Sequence, residues 1–287
     1  MKLALISDIH ANLEALEATL NDVVSRSVDR IVCLGDIVGY NTKPAECIAL
    51  LRRLNALCVA GNHDLAVCGR MQTRNFSNTA ARAVAWTQRH LAQDDLNFLG
   101  GLPFKAHIDG QVIAVHGALH PQTDCVTVPL DNDGRRMQSF QALLADSSGA
   151  RICAFGHTHR AGIYEFRNGH ALSRPEEQIR LRDDAYYLIN PGTVGQPRGS
   201  DRRASYMVLD LAQRTVSVHR VSYDASATLA ATREAGLAPA FTFVPAPVRR
   251  AIATGLRALR LYEPVRQLAE AAKASARFDQ DWPSSAR

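Results

Sequence analysis

Leu57-Cys58-Val59-Ala60-Gly61-Asn62-His63-Asp64 is the stretch on which the fold turns. A short apolar run stops at a glycine. An amide, an imidazole and a carboxylate follow at once. Composition alone would give the tetrapeptide Gly-Asn-His-Asp only ~0.002 times in such a chain. The same arrangement recurs on both sides of it. Leu3-Ala4-Leu5-Ile6 runs into Ser7-Asp8-Ile9-His10, and Ile31-Val32-Cys33-Leu34 into Gly35-Asp36. Residues 111–115 run into His116-Gly117, and Ile152-Cys153-Ala154-Phe155 into Gly156-His157-Thr158-His159. An Asp-x-His triplet is expected ~0.7 times by chance and a His-x-His ~0.3 times, so neither decides anything alone. Their order, each behind an apolar run, does.

Amphipathic stretches separate these runs, which predicts an α/β layered domain. A helix is predicted over 12–27, with Asn12 as N-cap and Leu13, Leu16, Leu20 and Val24 on one face. Further helices are predicted over 44–54, behind Pro44, over 77–91 and over 135–146. Residues 104–109 and 111–116 read as strands joined at Asp109-Gly110. Between about 160 and 222 the pattern is mostly strand. From about 225 the chain is Ala-rich and helical, with an arginine-rich helix predicted over 248–261. The expected division is a main domain over 1–235 and a C-terminal helical extension and tail over 236–287.

The chain has 287 residues, 33 Lys and Arg against 28 Asp and Glu, and a net charge of +5. With 46% hydrophobic residues, 18 Gly and 12 Pro, it is neither intrinsically disordered nor a disulfide-stapled miniature. No apolar run approaches the ~18 residues of a membrane span. The six cysteines show no Cys-x-x-Cys pair, and Cys33, Cys58 and Cys153 lie in apolar runs, which predicts reduced, buried thiols. Cleavage of a secretory signal would remove Asp8 and His10, so a cytoplasmic location is expected. The chain lacks a P-loop and a Gly-x-Gly-x-x-Gly turn, which counts against a nucleotide-driven motor or a dehydrogenase.

In an open α/β sheet, residues just past the carboxyl ends of the strands face one crevice. Five segments would therefore deliver Asp, Asn and His side chains to one place. A pair of divalent ions ~3.5–4 Å apart needs a bridging ligand and open positions. Asp36, alone on its loop, suits the bridge. Asp8 with His10, and His157 with His159, have the spacing to lean toward one ion. Asn62 offers a neutral oxygen and His116 a nitrogen. Nitrogen and oxygen ligands without thiolate suit Mn, Fe, Zn or Co. Tyr40, Lys43 and Arg198 follow motif loops and are candidates for the substrate rim. Asn190-Pro191-Gly192 reads as a turn supporting the metal loops.

The series Asp8-Ile9-His10, Gly35-Asp36, Gly61-Asn62-His63-Asp64, His116-Gly117 and Gly156-His157-Thr158-His159 resembles the calcineurin-like metallophosphoesterase superfamily, in its small prokaryotic branch. Gly35–Tyr40 and Asn190–Arg198 are similar to that branch as well, though Asn41-Thr42 stands where relatives often carry Gly-Pro. The resemblance covers about residues 1–235. It implies a four-layer α/β/β/α sandwich of two mixed sheets flanked by helices. It implies two divalent ions, Mn foremost, with Fe, Zn, Co or Ni as alternatives. Asp8, His10, Asp36 and His159 would hold the first ion, and Asp36, Asn62, His116 and His157 the second. His63 would donate a proton to the leaving oxygen or stabilise the phosphoryl charge, and Asp64 would orient the His63 ring. Tyr40 and Arg198 would touch substrate. The implied reaction is hydrolysis of phosphodiesters or phosphomonoesters of small molecules or nucleotides, by attack of a metal-bridging hydroxide. Rival expectations are a nuclease, suggested by an isoelectric point near 9.0, and a non-catalytic scaffold of the same fold. A nucleic-acid partner is not favoured, since basic residues are not clustered with interleaved aromatics. The C-terminal helices could support a homo-oligomer.

Overall fold

The strand β1 (Lys2–Ile6) shows why the first apolar runs are continuous rather than alternating. Leu3 and Leu5 face one side and Ala4 and Ile6 the other, and all four are buried. Leu3 and Leu5 join a core between two sheets, and Ala4 and Ile6 join a core beneath helices. A strand covered on both faces has no polar side to show. The computed structural model describes residues 1–238 except Pro121, Asp124 and Gly199.

Along the chain β1 is followed by α1 (Leu13–Val24), β2 (Arg30–Cys33), α2 (Pro44–Arg53), β3 (Leu57–Cys58) and α3 (Asn62–Val67). Next come α4 (Asn78–His90), α5 (Gln93–Gly100), β4 (Lys105–Ile108), β5 (Val112–Val115), α6 (Asp133–Ala145) and β6 (Ile152–Ala154). A strand-rich part holds β7 (Gly162–Arg167), β8 (His170–Arg174), β9 (Gln178–Arg180), β10 (Tyr186–Asn190), β11 (Ala204–Asp210) and β12 (Thr215–Val221), closed by α7 (Ser226–Glu234). One sheet has the order β3-β2-β1-β11-β12-β9 and the other β4-β5-β6-β10-β7-β8. The strands β1, β2 and β3 run parallel in the first sheet, and β5, β6 and β10 in the second. Antiparallel neighbours make both sheets mixed.

Three cores separate four layers. Leu5, Val32, Ala114, Ile152, Tyr187 and Met207 pack between the sheets. Leu16, Leu20, Ile48 and Leu51 pack the first helices on one outer face. Phe140 and Leu143 of α6 pack on the other, against Cys153 and Leu188. The expected four-layer α/β/β/α sandwich is therefore the observed one.

Asn12 does cap α1, its side-chain oxygen accepting from Ala15 N at 3.1 Å. The buried face of α1 is Ala15, Leu16, Thr19, Leu20 and Val23. Val24 is 77% exposed, contrary to expectation, because one more residue carries it ~100° round the helix. The strand β8 was not predicted: its side chains are nearly all exposed and leave no apolar run to read. The arginine-rich stretch over 248–261, and with it nearly all of the expected extension over 236–287, lies outside the described residues. No helix among the described residues is long and apolar enough to cross a membrane. Cys33, Cys58 and Cys153 are buried, as their apolar settings predicted, and Cys47 and Cys125 are buried as well.

Candidate metal centre

Each motif sits just past the carboxyl end of a parallel strand. Asp8 and His10 follow β1, Asp36 follows β2, and Asn62 opens α3 behind β3. His116 follows β5, and His157 and His159 follow β6. The first two loops zip together: Asp8 N donates to Gly35 O, His10 N to Asp36 O and Ala11 N to Ile37 O, at 2.9–3.1 Å. Asp8, His10, Asp36, His157 and His159 all have positive φ, between 51° and 63°. Five non-glycine residues in this sparsely populated region mark a site whose surroundings over-determine it. Gly61 is required by space: a Cβ there would stand 2.2 Å from Asp36 Oδ1.

Two clusters of potential ligand atoms result, each with its atoms within 4.8 Å of one another. Asp8, His10, Asp36 and His159 form one, and Asp36, His116 and His157 the other. Asp36 is common to both. Asn62 joins the second, its Oδ1 lying 3.1 Å from His116 Nε2.

The ring orientations indicate what the centre fits. Backbone carbonyls only accept, so a ring nitrogen facing one must carry the proton. His10 Nδ1 faces Val38 O at 3.1 Å, His116 Nδ1 faces Leu34 O at 2.7 Å and His159 Nδ1 faces Gln196 O at 2.8 Å. In the neutral His10 and His159 rings the Nε2 lone pair then points inward. His10 Nε2 and His159 Nε2 stand 3.2 Å apart, two lone pairs with no proton between them. Asp8 Oδ1 is buried, has no hydrogen-bond partner among the described residues, and lies 3.3 Å from His159 Nε2. Such converging acceptors suit a cation. The nitrogen and oxygen donor set suits a borderline divalent ion.

The charges agree. Burial pushes Asp8 up to about 7, and neighbouring Asp36 adds to the rise. Burial opposes ionisation of Asp36 as well, yet His116, His63 and His10 around it hold it well below the usual carboxylate range. Burial lowers His116, but the field of Asp36 outweighs it and carries the ring up to about 9. Without an ion, protons on Asp8 and His116 offset a negative field that a divalent cation would offset instead.

Asn190 braces the His157–His159 loop, donating to Gly156 O at 2.8 Å and Thr158 Oγ1 at 3.0 Å. Thr193 Oγ1 donates to Asp8 O at 2.8 Å. The turn thus supports the ligand loops, as its sequence suggested.

A four-layer sandwich of two mixed sheets, with such a centre at its strand ends, defines the metallophosphoesterase architecture. Residues 1–214 match the model of the calcineurin-like phosphoesterase superfamily domain, and the chain belongs to that superfamily. It is 38% identical over 226 residues to an uncharacterized protein of Methanocaldococcus jannaschii, covering 77% of this chain and 88% of that one. It is similar to the crystal structure of a metallophosphoesterase from Sphaerobacter thermophilus, at 38% identity and TM-score 0.68, covering 83% of this chain and 95% of that one. A hypothetical protein of Pyrococcus horikoshii shares the fold at 15% identity and TM-score 0.66, over 83% of this chain and 94% of that one.

The structure brings the seven expected metal ligands together. His63 lies beside them, its ring 4.8 Å from those of His10 and Tyr40. Burial lowers His63 to about 4, against the pull of Asp36. Its Nδ1 is buried without a partner among the described residues, close to where a Cβ on Gly39 would stand. Gly39, at φ +89°, leaves room for the ring.

The expected contact from Asp64 to His63 is not made. Asp64 Oδ1 accepts from Ile37 N at 2.9 Å and Val38 N at 3.2 Å, and Oδ2 accepts from Gly61 N at 2.9 Å. As third residue of α3 it folds back to the helix start and ties it to the Asp36 loop. Asp64→Ala should strand these three amides and lower stability by on the order of 3 kcal/mol, read as the shift in urea midpoint. An unchanged midpoint would contradict this tying role.

Arg198 Nη2 reaches His159 Nε2 at 3.0 Å, so the expected rim arginine stands at the centre. Tyr40 packs edge-on to His10 at 4.7 Å. Lys43 is committed elsewhere, paired with Glu14 at 2.5 Å.

Three neighbours carry no local sequence signal for their place at the site. Phe76 lies against His63, with centroids 4.9 Å apart. Asn41 donates its side-chain amide to His10 O at 2.8 Å and accepts from Thr232 Oγ1 of α7 at 3.1 Å. His10, Asn41 and Thr232 are all buried. Thr232→Val should weaken Mn²⁺ binding about tenfold, as loss of outer support does, while Thr232→Ser restores it. Calorimetric titration reads the difference, and native affinity in the valine variant would refute the link.

Proposed function

We propose that this chain is a dinuclear-metal phosphoesterase that hydrolyses phosphodiester or phosphomonoester bonds of small molecules or nucleotides. The observation that carries the proposal is the sharing of Asp36 by two ligand clusters. Asp8, His10, Asp36 and His159 would hold one ion, and Asp36, Asn62, His116 and His157 the other, with Mn²⁺ as the foremost candidate. Bound divalent ions would supply Lewis acidity toward the phosphoryl oxygens and an activated water.

The chain's own residues do the rest. Arg198 presents a guanidinium beside His159, where it can pair with a phosphoryl oxygen. Tyr40 and Phe76 pack on the His63 ring and hold it over the centre. His63 gives a proton to the leaving oxygen. Burial keeps that ring neutral in the free protein, and the negative charge of an arriving phosphoester favours its protonated form. We further propose a cytoplasmic enzyme able to form a homo-oligomer.

The test is hydrolysis of bis-p-nitrophenyl phosphate, p-nitrophenyl phosphate and a single-stranded RNA, before and after adding Mn²⁺ to stripped protein. The account expects Mn²⁺-dependent turnover of the small esters and negligible RNA cleavage. Preference for RNA would favour a nuclease. Two bound ions with no turnover of any ester would favour a scaffold.

A further inference from the structure

The opposite pole of the sandwich holds a cavity of about 250 Å³ that the proposed reaction does not use. It opens where β5, β6 and β10 begin, whereas the metal ligands lie where strands end. Gln111 lines this cavity and His116 belongs to the metal centre, so the length of β5 separates them. Five residues at about 3.3 Å each put the two roughly 17 Å apart.

The cavity has an apolar floor and a cationic rim. Ile152, Leu181 and Leu211 line the floor, the first two at 6% exposure. Arg151, Arg182 and Arg214 line the rim. Backbone bonds hold this end rigid: Tyr187 N donates to Arg151 O at 2.8 Å and Leu181 N to Arg214 O at 2.7 Å. The Tyr187 hydroxyl accepts from Arg182 N at 2.9 Å, which fixes the base of that arginine.

The rim charge is only partly balanced. Arg214 pairs with Asp183. Asp184 is taken by Arg167, at 2.7 Å. The Arg151 guanidinium lies over the Tyr186 ring, 4.9 Å from its centroid. Among the described residues, no carboxylate pairs with Arg151 or Arg182. Two guanidinium forks with free donors therefore flank one cavity. Guanidinium matches phosphate with paired N–H donors, which is the chemistry such a rim selects.

Size narrows the ligand. A cavity of ~150 Å³ accepts a benzene ring. A volume of about 250 Å³ has room for one ring-sized body and a phosphoryl group. It falls short of the ~300–1,000 Å³ of drug-sized sites. We propose that this pole is a second, non-catalytic site for a compact organic phosphate: the phosphoryl group meets Arg151 and Arg182, and the apolar body rests on Ile152, Leu181 and Leu211.

Phenylphosphonate, which cannot be hydrolysed as an ester, is the probe. It is titrated into the full Mn²⁺-loaded chain, into Asp36→Asn and into Arg151→Gln/Arg182→Gln. The double variant should lose one class of binding site, with affinity there falling at least tenfold. Its urea midpoint should stay native, which shows that it folds, and any hydrolysis of bis-p-nitrophenyl phosphate should be unchanged. Asp36→Asn should keep the arginine-dependent site whatever becomes of the metal centre, so failure of the proposed function would not mask the result. Unchanged binding in the double variant would overturn the proposal. So would binding of inorganic phosphate as tight as that of phenylphosphonate, because the apolar floor would then contribute nothing.

Discussion

Asp36→Asn should lower phosphoester turnover by roughly 10³-fold or more, a loss of the size seen when one essential electrostatic group is removed. The geometry gives the reason. Asp36 Oδ1 accepts from His63 N at 2.9 Å. Its Oδ2 faces His116 Nε2 at 3.4 Å and His10 Nε2 at 3.6 Å. An asparagine that keeps the first bond must turn its NH₂ toward both rings. That places a donor where a cation belongs and removes one negative charge from both clusters at once. Metal content should fall together with rate. A variant with near-native turnover and native metal content would refute the shared-ligand reading.

His63→Ala should keep the metal and lose rate, by about 10²–10⁴-fold for substrates whose leaving oxygen must be protonated. His63 is not among the clustered ligand atoms, so its removal leaves both clusters whole. The leaving group separates the possible roles. A p-nitrophenolate departs without a proton, so its esters should lose much less than alkyl esters do. An equal loss for both would place His63 on the phosphoryl oxygens instead, as a charge stabiliser rather than an acid. The buried, unpartnered Nδ1 and the lowered proton affinity both come from the ring's enclosure. A larger substrate charge should therefore raise the pH at which the acid works, since it favours the protonated ring. Dianionic monoesters and monoanionic diesters provide that comparison.

The sequence exposed the parts of the fold and site that are local. Strands buried on both faces, such as β1, read as unbroken apolar runs, and the polar residues at their ends read as ligands. Asn12 and Pro44 announced the helices they begin. The pairing of β1 with β11 joins residues some two hundred positions apart, and no local pattern encodes it. The same holds for Asn41 and Thr232. Each is an ordinary polar residue until α7 packs back beside the His10 loop. Phe76 lies just before α4, and only tertiary packing turns it toward His63. Asp64 was misplaced for a different reason. Its position beside His63 in sequence suggested a contact, but the opening turn of α3 sends adjacent side chains in different directions. A carboxylate three residues past an N-cap glycine was the signal for the bond it makes.

The most direct test of a two-ion centre is turnover against metal added per chain. Stripped protein, at a concentration well above its metal affinity, is titrated with Mn²⁺ while bis-p-nitrophenyl phosphate hydrolysis is followed. The account predicts negligible rate without metal and a rise that ends at two equivalents. A rate that saturates at one equivalent, or that needs no metal, would contradict it.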